Sequence, residues 1–298
     1  MNGYDVVVNQ ILDRLRDGTV PWRSGCNAVP RNHITGKAYR GINRILLSWA
    51  PYELPWYLSF KQVSAAGGMV RKGEHGHIVC FFKKVDDEDR AYDMVLKYYR
   101  VFNIAQTTLE PKLVSAHLPN CEDIYVNMPD PPRLNHNCGI PHYAVKTDTV
   151  AVPVPGLYES VEEYYSTLFH ELVHSTGHPK RLMRFGSDDQ TLGGKESYSL
   201  EELVAEIGAS FLCAETGILP KTIASNAAYI DNWLRVLENN RSYMFRAASA
   251  AQKAADYITG GDTPRFFLAM GGLLMSITSQ PASTYQCPRP SIQIGILR

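Results

Sequence analysis

The sequence lacks the features that mark membrane and secreted proteins. No apolar run approaches the roughly 18 residues that a membrane-spanning helix needs. The first residues, MNGYDVVVNQILDRLRDG, contain acidic side chains and no apolar segment of the kind found in secretory signals. Internal repeats and low-complexity tracts are also missing. These absences favour a cytoplasmic protein with no membrane partner.

Cysteine is scarce, and its spacing shows no pairing. The six cysteines among 298 residues are scattered, and no two of them form a CxxC pair. A chain of this length can bury a sizeable core, as one large domain or two ordinary ones, without disulfide bonds. We therefore expect reduced thiols, which agrees with a cytoplasmic location.

The chain has no net charge, but its charges are unevenly distributed. Lys and Arg together number 30, and so do Asp and Glu. Between Trp22 and Lys84, however, ten basic residues stand against two acidic ones, so this segment carries +8 and the remainder −8. The asymmetry predicts two parts that have different partners.

The first part of the chain is typical of a mixed α+β domain that ends near residue 118. Apolar residues at helical spacing predict a helix over residues 4–16. YRGINRILLSWAPYEL predicts a second, short helix, and WYLSFKQVSAAGG a strand followed by a helical turn. HIVCFFKKV and VLKYYRVFNI predict two paired strands around a tip at DDED. Residues 119–140 are rich in proline and are predicted to be a linker.

The remaining residues, 141–298, predict a mainly helical domain with a small sheet. HYAVKTDTVAVP reads as one strand. Ser160 and Glu163 form a capping-box pattern at the start of a helix that is expected to run to Gly177. A second long helix is expected to start at Ser199.

The stretch TLFHELVHSTGH lies in the first of these helices and carries candidate chemistry. His170 and His174 are four residues apart, so both imidazoles project from one face at the spacing of two ligands to a single ion. Glu171, beside His170, can take a proton from a metal-bound water. This HExxH pattern is the signature of zinc peptidases. The alternative is that two surface histidines share one face of an amphipathic helix.

The third ligand must come from elsewhere, because catalytic zinc uses three protein ligands and keeps one position open. The metzincin pattern HExxHxxGxxH would fit Gly177, but it requires a histidine where the chain has Lys180. His178 comes two residues too early, so we do not expect it to be a ligand.

A glutamate from the following helix, as in gluzincins, can complete the site. In SLEELVAE, Glu202 is predicted to be the third ligand and Glu206, four residues later, to orient a ligand histidine. Glu201 or Glu206 as the ligand is an alternative. Glu202 also fits a capping box that begins at Ser199, which would give it a structural role instead.

These residues together predict a hydrolase mechanism. A bound metal lowers the pKa of its water to about 7. Glu171 accepts the proton, and the hydroxide attacks an amide carbonyl. Tyr198, Tyr143 and His142 are the candidates for a further oxyanion donor, and the HYAVKTDTV strand could bind an extended peptide by strand addition. We predict zinc, with another divalent metal such as manganese as the alternative.

The basic segment before the linker is also rich in aromatic residues. Nine aromatic residues lie between positions 22 and 84, interleaved with the cations. Single-stranded DNA is bound by such surfaces, where cations follow the phosphates and rings stack on bases. The alternative is that the rings form a core and the cations a solvated surface. The predicted DNA-binding residues are Trp22, Arg23, Arg31, Lys37, Tyr39, Arg40, Arg44, Lys61, Arg71, Lys72, Lys83 and Lys84.

Several long motifs resemble one protein family. RNHITGKAYRGIN, WYLSFKQ and GGMVRKGEHG resemble the N-terminal domain of plasmid antirestriction proteins of the ArdC type, and a related domain occurs in TraC-type plasmid primases. YYSTLFHELVHSTGHPKRL and YSLEELVAEIGASFLCAETGI resemble the zincin-like metallopeptidase domain of the same proteins. The resemblance extends from residue 1 to about residue 260, in the same order.

The resemblance implies a two-domain α+β protein. It implies a single-stranded DNA-binding domain (1–118), a linker (119–140) and a gluzincin-type metallopeptidase domain (141–298) that together protect incoming plasmid DNA from host restriction during conjugation. Double-stranded DNA is an alternative partner, and the peptide or protein substrate is not specified. The main alternative function is a non-catalytic protein with a structural metal that coats DNA or blocks restriction enzymes. A nuclease is disfavoured, because two-histidine-one-glutamate zinc sites favour acyl transfer.

Overall fold

The computed structural model describes residues 3–23, 28–87, 90–111, 119–185, 195–218 and 227–261. Helices and strands combine there in an α+β fold. The helices are α1 (Gly3–Arg16), α2 (Ile42–Ser48), α3 (Phe60–Ala65), α4 (Cys121–Val126), α5 (Val161–Ser175), α6 (Lys195–Thr216), α7 (Ala227–Asn239) and α8 (Ser242–Ile258). The strands are β1 (Arg31–Asn32), β2 (Trp56–Ser59), β3 (His77–Asp87), β4 (Arg90–Asn103), β5 (Arg133–Asn135), β6 (His142–Ala144) and β7 (Thr149–Ala151). No described helix has both the length and the apolar character that crossing a membrane requires.

The N-terminal sheet has four strands in the order β1-β2-β4-β3. In its long antiparallel hairpin, Phe82 lies opposite Leu96 and Phe81 opposite Lys97. Because successive side chains of a strand alternate between faces, Phe82 and Leu96 share one face, and Phe81 and Lys97 share the other. The predicted pair of strands is confirmed, and residues 88 and 89 at the tip lie outside the described part of the chain.

The second sheet has three strands in the order β5-β7-β6. HYAVKTDTVAVP, predicted as a single strand, instead folds back on itself as β6 and β7, so that prediction is wrong. Asp148 takes the left-handed conformation (φ 47°) at the turn, and its carboxylate accepts hydrogen bonds from Arg181 at 2.9 and 3.0 Å and from the Tyr143 hydroxyl. Aspartate tolerates this conformation, so the turn needs neither glycine nor proline to mark it.

Helix α5 begins and ends close to the positions that the sequence predicts. The Ser160 hydroxyl accepts a hydrogen bond from the Glu163 backbone at 3.2 Å. The Glu163 carboxylate accepts from Glu159, so the predicted capping box is only half formed. Gly177 follows the helix, and the ring of Phe185 lies 2.4 Å from where its Cβ would be. Gly177 is therefore required for close contact with the following segment.

One buried cluster joins the N-terminal and C-terminal parts of the chain. The apolar face of α1 packs against α7, and its Leu15 lies in the same cluster as Trp233. The segment 119–140 contains α4 and β5 and contributes Cys121 and Ile124 to that cluster. The two parts therefore share apolar packing.

Helix α6 packs against α5 and begins earlier than predicted. It starts at Lys195, so Ser199 lies inside the helix and cannot cap it. The two helices are in close contact at Gly208, where a Cβ would lie 2.7 Å from a methyl of Val173, which is itself fully buried. Glycine at position 208 thus allows the two helices to pack this closely.

We expect Gly208→Ala to destabilise the fold despite the helix propensity of alanine. Overpacking costs about 1–3 kcal/mol, against roughly 1 kcal/mol that alanine gains over glycine inside a helix. Urea unfolding should show a lower midpoint for Gly208→Ala. Gly156→Ala is the control, because a Cβ there meets nothing within 4 Å. A midpoint for Gly208→Ala at or above that of the wild type would contradict the close approach.

Candidate metal centre

Helices α5 and α6 bring three potential metal ligands together. The Nε2 atoms of His170 and His174 are 3.1 Å apart. Oε2 of Glu202 is 3.6 Å from the first of these nitrogens, and Oε1 is 3.6 Å from the second. Among the described residues, this is the one cluster of three His, Cys, Asp or Glu side chains whose ligand atoms all lie within 4.8 Å of one another.

The donor set fits a divalent cation. Ligand atoms about 2.0–2.1 Å from a tetrahedral zinc lie about 3.3–3.4 Å from each other, and the observed 3.1 and 3.6 Å lie on either side of that spacing. Only one of two facing ring nitrogens can donate a proton to the other, whereas a cation between them would use both lone pairs. Two imidazoles and a carboxylate form a typical catalytic zinc set.

The charge around His170 also favours a cation. Burial alone would lower the pKa of His170, but the Glu202 carboxylate, followed by Glu171, more than offsets this, so the pKa is raised. The surrounding carboxylates thus stabilise positive charge at this point.

Glu201 is the carboxylate that contacts a candidate ligand histidine from outside the site. Its Oε1 lies 3.4 Å from Nδ1 of His174, and Arg184 donates to its two oxygens at 2.6 and 3.0 Å. Burial would raise the pKa of Glu201, but His174 and Arg184 outweigh it, and the pKa is lowered. An ionised Glu201 holds the proton of His174 on Nδ1 and leaves Nε2 available to a metal.

Glu206, which the sequence suggested for that role, has other partners. Its carboxylate accepts hydrogen bonds from the Trp22 indole at 2.8 Å and from the Tyr229 hydroxyl, and it pairs with Arg23 at 3.3 Å. The reason is helical geometry: Glu206 lies more than one turn beyond Glu201 and faces the N-terminal segment instead of the end of α5. The histidine partner is therefore Glu201, which sequence analysis considered only as a ligand.

The candidate general base is buried beside the three candidate ligands. Glu171 is 6% exposed, and burial is the main reason why its pKa is raised, although His170 and His174 lower it in part. A raised pKa brings a carboxylate closer to the range in which it can accept and return a proton near neutral pH.

The candidate oxyanion donors differ in their surroundings. The Tyr143 hydroxyl donates to Asp148 at 2.8 Å, and burial, followed by Asp148, raises its pKa. His142 is exposed on the edge strand β6 and lies near enough to Glu171 to lower the pKa of that carboxyl. The side chain of Tyr198 lies outside the described part of the chain. Of the candidates with described side chains, His142 is thus the one whose charge acts on Glu171.

Several residues predicted to bind DNA instead hold the fold together. Trp22 and Arg44 are 2% and 4% exposed, so assigning them to a DNA surface was wrong. The Arg44 guanidinium donates to Glu215 at 2.8 Å and lies over the ring of Phe211. Arg23 stacks on the Tyr229 ring, and Arg40 pairs with Asp256; these further contacts are internal to the protein.

The other predicted DNA-binding residues lie closer to the surface. Tyr39 is half-buried against Tyr57, and the side chain of Lys84 lies outside the described part. Tyr98 and Tyr99 on β4 are also exposed, at 48% and 43%, and they were not among the predicted residues because they lie beyond the basic segment. The exposed predicted cations are Arg31, Lys37, Arg40, Lys61, Arg71, Lys72 and Lys83, of which Arg40 also pairs with Asp256.

Two protein families match different parts of the chain. Residues 1–102 match the family described as the N-terminal domain of anti-restriction factor ArdC. Residues 133–250 match the zincin-like metallopeptidase family. The second match contains all three candidate ligands and Glu171.

Individual proteins match across both parts. The chain is 30% identical over 287 residues to a DNA primase TraC of Escherichia coli, covering 86% of this chain and 27% of the primase. It is 31% identical over 288 residues to the uncharacterized protein y4eC of Sinorhizobium fredii, covering 86% of this chain and 91% of that protein. The chain thus spans about a quarter of the length of the TraC primase that it matches.

Solved structures agree with these matches. The metal-free crystal structure of the antirestriction ArdC protein from plasmid R388 has a TM-score of 0.73 and 33% identity, and the match covers 87% of this chain and 97% of that one. The Mn(II)-bound structure of the same protein has a TM-score of 0.72 and 33% identity, and the match covers 87% and 98% of the two chains.

We expect Glu201→Gln to weaken metal binding and Glu206→Gln to leave it nearly unchanged. Loss of a carboxylate that orients a ligand histidine costs roughly 10–100-fold in metal affinity, and only Glu201 contacts His174 at 3.4 Å. Calorimetric titration of Zn²⁺ into both variants compares the same substitution on the same helix. Equal losses for the two variants would contradict the assignment.

Proposed function

Because the chain belongs to the family of ArdC-type antirestriction proteins, we propose that it binds single-stranded DNA and hydrolyses peptide bonds at a zinc site. In this proposal, it protects incoming plasmid DNA in the cytoplasm from host restriction during conjugation. The N-terminal region carries the DNA-binding function, and the region around α5 and α6 carries the peptidase. Manganese is the alternative metal, since one structure of the similar ArdC protein is described as Mn(II)-bound.

The observation that carries the peptidase proposal is the position of Glu171. A structural metal site needs only ligands, and His170, His174 and Glu202 would supply them. A buried glutamate with a raised pKa beside those ligands is instead what general-base catalysis requires. Its presence favours hydrolysis over a structural role.

The mechanism assigns each residue a separate task. His170, His174 and Glu202 would hold a zinc ion, which lowers the pKa of a bound water to about 7 and polarises a carbonyl. Glu171 would serve as the general base, accepting a proton from the attacking water and returning it to the leaving amine. Glu201 keeps His174 in the tautomer that a ligand needs.

Substrate binding can use the edge of the second sheet. Strand β6 lies at an edge of that sheet and contacts α5. An extended peptide can pair with such an edge through its backbone, which would place its carbonyls near His142 and the candidate metal centre. Peptide sequence would then matter less than an extended conformation.

The DNA-binding proposal rests on the match of residues 1–102 and on exposed charge. Seven of the predicted cations remain exposed in the structure, even though others are used in internal contacts. Phosphate binding by exposed cations releases counterions and depends strongly on salt. Double-stranded DNA is the alternative partner, and comparing the two forms of DNA in one assay tests the preference.

Glu171→Ala is expected to abolish proteolysis while metal and DNA binding stay nearly intact. General-base catalysis contributes about 10²–10⁴-fold to rate, whereas Glu171 is not among the three clustered ligands. Cleavage of fluorescein-labelled casein by the zinc-loaded protein measures the activity. Glu162→Ala, an exposed glutamate on the same helix, should cleave as the wild type does.

Undiminished cleavage by Glu171→Ala would overturn the peptidase assignment. Antirestriction activity retained by the same variant would instead favour the non-catalytic function, in which the protein coats DNA or blocks restriction enzymes. Incubation of labelled single strands with the protein and divalent metal controls for nuclease activity.

Single-strand affinity should fall steeply with salt and depend on the exposed cations. We expect each exposed cation that contacts a phosphate to contribute about 0.7 to the slope of log affinity against log salt. Fluorescence anisotropy of a labelled oligothymidylate should therefore show a smaller slope for the double variant Lys61→Ala, Lys72→Ala. Arg133→Ala, an exposed cation of the C-terminal part, is the control. A flat salt response of the wild type would support a merely solvated surface.

A further inference from the structure

A cleft of about 600 Å³ lies beside α8, away from the candidate ligands. Three aromatic rings line it: Tyr4 of α1, Phe82 of β3 and Phe245 of α8. The ring centroid of Tyr4 is 4.8 Å from that of Phe245 and 6.3 Å from that of Phe82. Phe82 keeps 44% of its surface exposed, so its ring is accessible to a ligand.

The side of the cleft formed by α8 is positively charged. Arg246 and Lys253 line it and are both exposed. They are seven residues apart on one helix, which places them two turns, or about 10 Å, from each other along the axis. The described residues that line the cleft include no acidic side chain. A ligand held here would thus meet two cations of the same helix.

Another part of the cleft lining is connected to the candidate metal centre. Leu182 and Arg184 form this part, and Arg184 is already neutralised by Glu201, the carboxylate that contacts His174. The charge available to a ligand therefore comes from Arg246 and Lys253.

We propose that this cleft binds one or two nucleotides of a single DNA strand. A base would stack on Phe82, and the adjoining phosphates would lie at Arg246 and Lys253. The volume falls within the roughly 300–1,000 Å³ of small-ligand sites, and an accessible ring beside cations is the combination that binds single strands. The proposal rests on the single-strand binding proposed above and assigns it a site on α1, β3 and α8.

The face of the hairpin offers a continuation for the strand. Phe82 lies opposite Leu96 in the ladder, so the next side chains on that face of β4 are Tyr98 and then Arg100. Tyr98 is 48% exposed, and Arg100 is exposed as well. Alternate residues of a strand are about 6.8 Å apart. The strand leaving the cleft would therefore meet a second ring and a third cation in sequence.

The test measures binding of a fluorescein-labelled oligothymidylate to variants of the full chain. Phe82→Ala should weaken binding by roughly 5- to 150-fold, the loss of one base-aromatic stack, and Phe82→Trp should restore it. Phe81→Ala is the matched control, because Phe81 is the neighbouring residue, has a similar exposure of 46% and points to the opposite face.

Charge variants keep the test independent of folding. Phe82 contacts buried Phe245, so its removal can disturb packing. The double variant Arg246→Ala, Lys253→Ala removes only exposed side chains, and it should reduce the salt slope by about 1.4, or 0.7 for each phosphate contact. Arg235→Ala, an exposed arginine of α7, should bind as the wild type does.

Different failures have different meanings. If the wild-type protein does not bind the oligonucleotide at any salt concentration, the proposed DNA-binding function fails. If the wild type binds and the cleft variants bind equally well, the cleft assignment is overturned while the function stands. Loss of affinity in Phe81→Ala but not in the cleft variants would place the strand on the other face. If the charge variants lose affinity for poly-glutamate but not for the oligonucleotide, the ligand of the cleft is an acidic peptide.

Discussion

The close packing of α6 against α5 is the constraint on which the rest of the structure depends. One helix supplies both histidines and the candidate base, and the other supplies both glutamates, so the candidate metal centre exists only at one separation and rotation of the pair. That separation is set where Gly208 meets Val173, one to two turns from the glutamates. Because helices and packed interiors resist deformation, a change at this contact would move ligand atoms that it does not touch. The site is thus precise because the interior beneath it is dense.

Helix α6 also ties the N-terminal segment to the same interior. The Glu206 carboxylate accepts hydrogen bonds from the Trp22 indole and the Tyr229 hydroxyl and pairs with Arg23. Arg44 makes a second such connection near the end of the helix, to Glu215 and to the carbonyl of Phe211. The basic and aromatic residues of the N-terminal segment, whose composition is typical of a nucleic-acid-binding surface, therefore divide into two groups. One group is buried and holds the two parts together, and the other remains exposed to solvent.

Sequence spacing predicted much of the candidate site, and the errors share one cause. The positions of His170, His174 and Glu202 follow from local periodicity within single helices, and the structure brings the three together. Whether Glu201 or Glu206 faces a histidine depends on the rotation of one helix about another, which no local pattern encodes. Whether Arg44 is buried or exposed depends on Glu215, a partner that lies 171 residues away in the sequence. The turn at Asp148 was missed because its left-handed residue is held by Arg181, another distant contact.

The packing of α1 on α7 has a consequence for how such genes can be recombined. A segment encoding only the N-terminal region would carry the apolar face of α1 without the surface that covers it, and the recipient would leave α7 uncovered. Transfer between genomes should therefore preserve the whole block of both regions. The similarity to the TraC primase agrees with this, since it runs through 287 residues inside a much longer protein and does not stop at either region alone. The hydrophobic contact between α1 and α7 thus gives a physical reason why the two regions should be inherited together.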